Sequence, residues 1–171
     1  MAEEPTDELG RSVADHERIL EVLVAHEVEF LVVGGLAVIA HGHQRFTRDL
    51  DLIPSPRESN LRRLAGALSE LEAAAVGARG ERLRLDLSHP ASLAVGNNFL
   101  STNRGALDLL NGPRPDLKRY LRLDAAAIEV EIGAHAIKIV SKADLIAMKR
   151  EAGRPQDLRD ITALTEVERN P

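Results

Sequence analysis

Asp49 and Asp51 stand one residue apart inside the apolar run that continues through Leu50, Leu52 and Ile53, and this spacing restricts the fold more than any other feature. On a strand, side chains two apart share a face, so both carboxylates project together while Leu50 and Leu52 turn into a core. Two anions held side by side need a cation. With hard oxygen ligands at the edge of a sheet, that cation is expected to be a bound divalent metal, magnesium with manganese as the alternative, rather than zinc. Upstream, the apolar run Phe30 to Val33 reads as a buried strand, followed by Gly34, Gly35 and the helical segment Leu36 to Ala40. A diglycine at that junction places backbone N–H groups at a helix N-terminus, where phosphate can sit. The diglycine and the acid pair therefore form one candidate site.

The combination has a recognisable wording. Gly34-Gly35, a spacer of thirteen residues from Leu36 to Arg48, and then Asp49-Leu-Asp51 resembles the signature of the DNA polymerase β-like nucleotidyltransferase superfamily. Val33-Gly-Gly-Leu-Ala37 with Arg45-Phe-Thr-Arg-Asp-Leu-Asp51 looks most like its AbiEii/MenT-type toxin branch. That superfamily uses a third carboxylate from a later strand, and Asp108 in Gly105-Ala-Leu-Asp-Leu-Leu110 follows a hairpin-like turn at Asn103 to Gly105. The C-terminal stretch Ser141 to Ile161 is similar to the family's closing pattern of a helix with an inward lysine, a break, and R-x-x-D-x-x-D. The resemblance spans roughly residues 18 to 165.

Its implications for residues are specific. Asp49, Asp51 and Asp108 would be the catalytic, metal-holding carboxylates for Mg2+ (or Mn2+) and an NTP. Gly34, Gly35, Arg45, Thr47, Lys149 and Arg154 would meet the nucleotide and its phosphates. Thr47 lies two residues before Asp49, so its hydroxyl can share the carboxylates' side; a plain β-branched strand residue is the alternative. Asp157 and Asp160 would orient Lys149 or Arg154, or else form a solvated first turn of a helix. The reaction would be in-line attack of an acceptor hydroxyl on the α-phosphorus with release of pyrophosphate.

Other readings of the same residues fare less well. A Rossmann site needs G-x-G-x-x-G and an acidic end to the next strand, and neither is present. His41 and His43 flank Gly42, but no other His or Cys has spacing that would complete a zinc site. They read as a helix C-terminus with glycine supplying the turn.

Composition sets outer bounds. A chain of 171 residues has the length of one domain with a sizeable core. There is no cysteine, hence no disulfide framework. No apolar run approaches the roughly twenty residues needed to span a bilayer. The acidic start Met1 to Glu8 does not read as a signal peptide, and a cytoplasmic location is expected. A net charge of -5 argues against a large non-specific nucleic-acid surface. Three phenylalanines and one tyrosine, with no tryptophan, leave too few aromatics for base-stacking platforms of the single-strand-binding kind.

Along the chain, residues 1–12 read as a disordered acidic tail and 13–171 as a single nucleotidyltransferase domain. Val13 to His26 carries apolar residues at helical spacing. Ser55, Pro56 and Glu58 read as a capping box with proline at the first helical position, opening a helix to about Leu71. Arg82 to Leu87 alternates like a strand, whereas the remainder of 73–99 is left open. Phe99 to Leu110 reads as a hairpin, Pro115 to Leu123 as a short basic helix, and 127–132 with 136–140 as two short strands. Ser141 and Asp144 cap the next helix, Gly153 stops it and Pro155 starts the last. This order points to an α+β fold, a polymerase β palm-like mixed sheet flanked by helices.

Three functional classes follow. The first is a nucleotidyltransferase that modifies RNA, a tRNA 3′ end above all, as the toxin of a toxin-antitoxin pair with a cognate antitoxin protein as partner. The second acts on a small hydroxylated, antibiotic-type acceptor; Thr47 stands where lincosamide-modifying enzymes often carry histidine. The third is a silent homologue that binds nucleotide or a partner, a reading that the three carboxylates oppose. The chain is shorter than extended AbiEii-like toxins. In place of an extended RNA-binding region it offers Arg114, Lys118, Arg119 and Arg122 as candidate RNA contacts, with a solvated charged face as the alternative.

Overall fold

A computed structural model describes residue 6 and residues 11–166. Within them, one mixed eight-stranded sheet carries six α-helices and a short 3-10 turn, in line with the α+β expectation. In chain order the elements are α1 (His16–Ala25), β1 (Phe30–Val33), α2 (Gly34–Ala40), β2 (Asp49–Pro54), α3 (Glu58–Glu70), β3 (Ala74–Val76), β4 (Arg82–Leu83), the 3-10 turn (Pro90–Ala94), β5 (Asn97–Thr102), β6 (Gly105–Leu110), α4 (Leu117–Ala126), β7 (Ile128–Ile132), β8 (His135–Ile139), α5 (Lys142–Ala152) and α6 (Pro155–Glu166). No described helix is long and apolar enough to cross a membrane.

The sheet order is β4-β3-β5-β6-β2-β1-β8-β7. β2 runs antiparallel to β1 and parallel to β6, so the two strands that carry the predicted carboxylates are central neighbours. Their apolar side chains explain why. Leu50, Leu107 and Leu109 are fully buried, as are Leu31 and Val32 of β1. Each such leucine replaced by alanine costs about 2–5 kcal/mol, so the strand pairing beneath the site is anchored by its own core residues.

Local signals account for most helix limits. Asp15 caps α1 by accepting from the Arg18 N–H at 3.2 Å, and Ile19, Leu20 and Leu23 form its buried stripe. Asp116 caps α4 through the Arg119 N–H at 2.9 Å. Ser141 caps α5, and Gly153 ends it in the left-handed conformation at φ 64°.

The expected capping box at Ser55 does not form. The Ser55 N–H donates to the Glu29 carbonyl at 2.9 Å, and its own carbonyl accepts from the Asn60 side chain at 2.9 Å. Asn60 also exchanges hydrogen bonds with Glu29, at 2.7 and 2.9 Å. Those ties hold Ser55 outside the helix, and α3 begins two residues later than the capping signal suggests, at Glu58 with Arg57 extended before it. The open segment 73–99 contains β3, β4, the 3-10 turn and the start of β5; only Arg82 and Leu83 of the alternating run pair as strand.

The predicted tail falls mostly outside the described residues, at 1–5 and 7–10. Arg11 and Ser12, counted with that tail, correct its boundary. Arg11 is buried, and the Ser12 carbonyl accepts from the Ala106 N–H at 3.0 Å.

Candidate active site

Register brings the three carboxylates together. Asp51 pairs with Asp108 across the parallel β2–β6 ladder, and Asp51 also pairs with Val33, the last residue before Gly34. Asp49, Asp51 and Asp108 each offer an oxygen within 4.8 Å of the others, and this is the only group of three or more metal-ligating side chains among the described residues. Asp49 and Asp51 are half-buried and Asp108 is buried. The Asp51 carboxyl is pushed up to about 7, by burial first and then by the charges of Asp49 and Asp108. The charge of Arg154 and a hydrogen bond from the Gly35 backbone N–H oppose that shift without cancelling it.

The two glycines are required by contact. Gly34 has φ +63°, and a Cβ there would lie 1.8 Å from Asp51 Oδ2. A Cβ on Gly35 would lie 2.2 Å from Thr47 Oγ1 and 2.8 Å from an Arg45 guanidinium nitrogen. The diglycine thus lets the start of α2 lie directly on Asp51 and Thr47. Thr47 is buried, with its hydroxyl 3.4 Å from Asp49 Oδ1 and 3.5 Å from the Asp49 carbonyl. Its side chain therefore lies on the carboxylate side, as the two-residue spacing predicts.

A second cluster abuts the first. Lys149 on α5 is buried and bonds Asp157 at 3.1 Å and Asp160 at 2.7 Å. Arg154 bonds Asp157 at 2.8 Å. Arg45 reaches Asp160 at 3.1 Å from the loop before β2. The network ties α5 and α6 to the approach to β2, and it is why Asp157 and Asp160 are buried at 1% and 0% exposure rather than solvated. For Asp157, burial pushes the carboxyl up, but hydrogen bonds and charge from Arg154 and Lys149 outweigh it and hold the group below the usual carboxylate range.

The basic run lies elsewhere. Arg114 and Arg119 line a small concavity with Ile53 and Pro54, at the opposite end of β2 from Asp49, about 15 Å along the strand at the ordinary rise per residue. Arg122 donates to Asp144 at 2.8 Å, and Lys118 is exposed. A cavity of about 430 Å³ between α1, α4 and β8 contains none of the three carboxylates. His41, at the end of α2, donates from its Nε2–H to the Val140 carbonyl at 2.8 Å.

One participant escapes sequence reasoning. Arg11 forks onto Asp108, with one guanidinium nitrogen on each carboxylate oxygen, the longer contact being 3.3 Å. It lies 97 residues away in sequence, in an acidic segment without periodicity, and no local signal marks it.

With this geometry in place, the likeness to known proteins is informative. The family model described as the nucleotidyl transferase AbiEii toxin of a Type IV toxin-antitoxin system matches residues 18–171. No curated protein matches by sequence. Among solved structures, the lincosamide antibiotic adenylyltransferase LnuA, bound to lincomycin, superposes with a TM-score of 0.59 at 18% identity, covering 90% of this chain and 97% of its own. The antibiotic-resistance factor ANT(2'')-Ia gives 0.58 at 14% identity, covering 89% and 80%. An antigenic nucleotidyltransferase-like protein from Paracoccidioides brasiliensis gives 0.55 at 15%, covering 91% and 78%. At these identities the likeness is one of fold.

Proposed function

The chain belongs to the AbiEii nucleotidyltransferase family, and from that premise we propose that it is the toxin of a toxin-antitoxin pair, moving a nucleotidyl group from an NTP to the 3′ end of a tRNA in the cytoplasm. The observation that carries the reading is the approach of Asp49, Asp51 and Asp108 to within 4.8 Å. A family member that had lost catalysis would have no reason to keep three anions crowded on two core strands.

The donor set fits a divalent metal. It consists of hard carboxylate oxygens, and Asp51 is raised to about 7 by its neighbours, which is the signature of a cluster short of positive charge. Asp49 and Asp51 would hold the ion that accompanies the nucleotide, and Asp108 the one beside the acceptor. When bound, Mg2+ would supply charge neutralisation on the phosphates and acidify the acceptor hydroxyl.

The chain's own residues do the positioning. Gly34 and Gly35 let the phosphates approach backbone at the start of α2 without a side chain in the way. Thr47 presents a hydroxyl beside Asp49. Arg154, exposed and close enough for its charge to act on Asp49 and Asp51, faces the triphosphate side. Lys149, Asp157 and Asp160 support it: the lysine is buried between the two carboxylates, and Asp157 in turn holds Arg154. The acceptor oxygen forms its bond to the α-phosphorus as the bond to pyrophosphate breaks, and the hydroxyl proton leaves on the Asp108 side. Catalysis of this type rests on alignment and charge, and an ångström of misplacement costs about a hundredfold. Lys118 and Arg119, with Arg114 and Arg122, are the candidate contacts for the body of the RNA, away from the reacting end.

The test is a labelling assay with purified protein, Mg2+, each labelled NTP in turn, and total tRNA, total cell protein or a panel of aminoglycosides and lincosamides as acceptor. Label on tRNA that vanishes in the Asp49→Asn/Asp51→Asn double variant is the expected result. Label on the small molecules alone would replace the tRNA reading with the antibiotic-type one.

A further inference from the structure

The fork from Arg11 to Asp108 has a consequence for how the site fills, and the inference rests on the metal reading above. Arg11 is 4% exposed, and one of its nitrogens also donates to the Leu100 carbonyl at 3.1 Å. The residues behind it are fastened to both catalytic strands. The Ser12 carbonyl accepts from the Ala106 N–H at 3.0 Å, the Ala14 N–H donates to the Arg48 carbonyl at 2.8 Å, and the Asp15 N–H donates to the Arg104 carbonyl at 2.8 Å. Gly105, at φ +101°, admits this strap: a Cβ there would sit 2.4 Å from the Val13 carbonyl oxygen. Residues 11–15 are thus a built feature laid across the entry to β2 and β6.

We propose that Arg11 is a positioning residue that occupies the third carboxylate until a divalent ion displaces it, so that the two cation positions fill in a fixed order. The fork engages both oxygens of Asp108, whereas a metal needs at least one of them. A guanidinium stays charged at every working pH, so it leaves only by exchange with another cation. Asp49 and Asp51 carry no such fork: among the described residues, no arginine hydrogen-bonds to either. The ion that travels with the nucleotide therefore binds at Asp49 and Asp51 without having to displace a hydrogen-bonded arginine. The acceptor-side ion binds at Asp108 only by releasing Arg11. Until then Asp108 is held in register, and the acceptor side of the site stays closed to a lone ion.

Manganese binding measured by electron paramagnetic resonance on the full chain tests this, with thermal unfolding run alongside. In the unsubstituted protein two classes of site are expected, one strong and one weak. In Arg11→Gln and in Arg11→Met, which keeps the aliphatic stem should glutamine not fold, the weak site tightens about tenfold or more, the worth of one lost charge-assisted hydrogen bond. The strong site is unchanged, and Arg11→Lys restores the weak one. Identical constants in all variants would overturn the ordering and leave the metal reading standing. Loss of the weak site in both neutral variants would also overturn it, because Arg11 would then be needed to hold Asp108 for the ion. Absence of Mn2+ binding in every protein would overturn both readings.

Discussion

Two acidic clusters lie side by side in this molecule, and their electrostatics run in opposite directions. Asp49, Asp51 and Asp108 crowd within 4.8 Å on two central strands, and Asp51 is driven up to about 7 by burial and its neighbours. Asp157 and Asp160 are more deeply buried, yet they meet Lys149, Arg154 and Arg45, and Asp157 is held low despite its burial. Depth therefore does not decide which cluster is reactive; the supply of cations does. The satisfied cluster is a clamp between α5, α6 and the loop before β2. The crowded one is poised for a cation that the substrate brings.

The contrast is sharpest in catalysis. Asp51→Asn is expected to lower nucleotidyl transfer by about a thousandfold or more, the scale at which transition-state charge stabilisation is lost. The unfolding midpoint of the metal-free protein should stay level or rise, since one crowded anion is gone. A variant that unfolds would break the comparison, because Asp51 would then be a scaffold residue like Asp160.

The clamp should respond in the other sense. Lys149→Met leaves Asp157 and Asp160 buried with less countercharge, and chemical denaturation should show a loss of about 3–5 kcal/mol. Between the clusters, Gly35→Ala drives a methyl group toward Thr47 and Arg45 and should cost about 1–3 kcal/mol as overpacking. Adding Thr47→Ala should recover part of that loss, and a double-mutant cycle would report the coupling.

The crowded cluster also carries a pH dependence. Asp51 titrates near 7 when folded and near its ordinary value when unfolded, so between those values the folded state binds the extra proton. Its contribution is therefore lost as pH rises from about 4 to about 7. Asp157 is lowered, so its contribution is present above its unfolded value and lost on acidification. Unfolding midpoints in chelator should fall more steeply over the first window in the unsubstituted protein than in Asp51→Asn, with the acid limb unchanged.

What could be read from the sequence was what is written locally. Phe30 to Val33, the diglycine and the alternation around Asp49 and Asp51 each declare a backbone state within a few residues, and Asn103 to Gly105 declares the hairpin that delivers Asp108. Ser141, Gly153 and Pro155 punctuate the last helices in the same way. The failures are all long-range. Ser55 carries a sound capping signal, but its backbone is taken by Glu29 and Asn60. β3 and β4 are too short to show a period and exist through pairing with β5 and with each other. Arg11 acts on a residue in the far half of the chain. Asp157 and Asp160 were legible as partners of Lys149 or Arg154 only beside the alternative of a solvated turn, because a helix's first turn looks the same whether it faces solvent or a buried lysine.

The most direct test is anomalous diffraction from crystals grown with Mn2+ and a non-hydrolysable NTP. The account predicts a manganese peak about 2.1 Å from carboxylate oxygens of Asp49 and Asp51, with the triphosphate against α2. Density for the metal at Asp157 and Asp160, or none at the triad while nucleotide is bound, would contradict it.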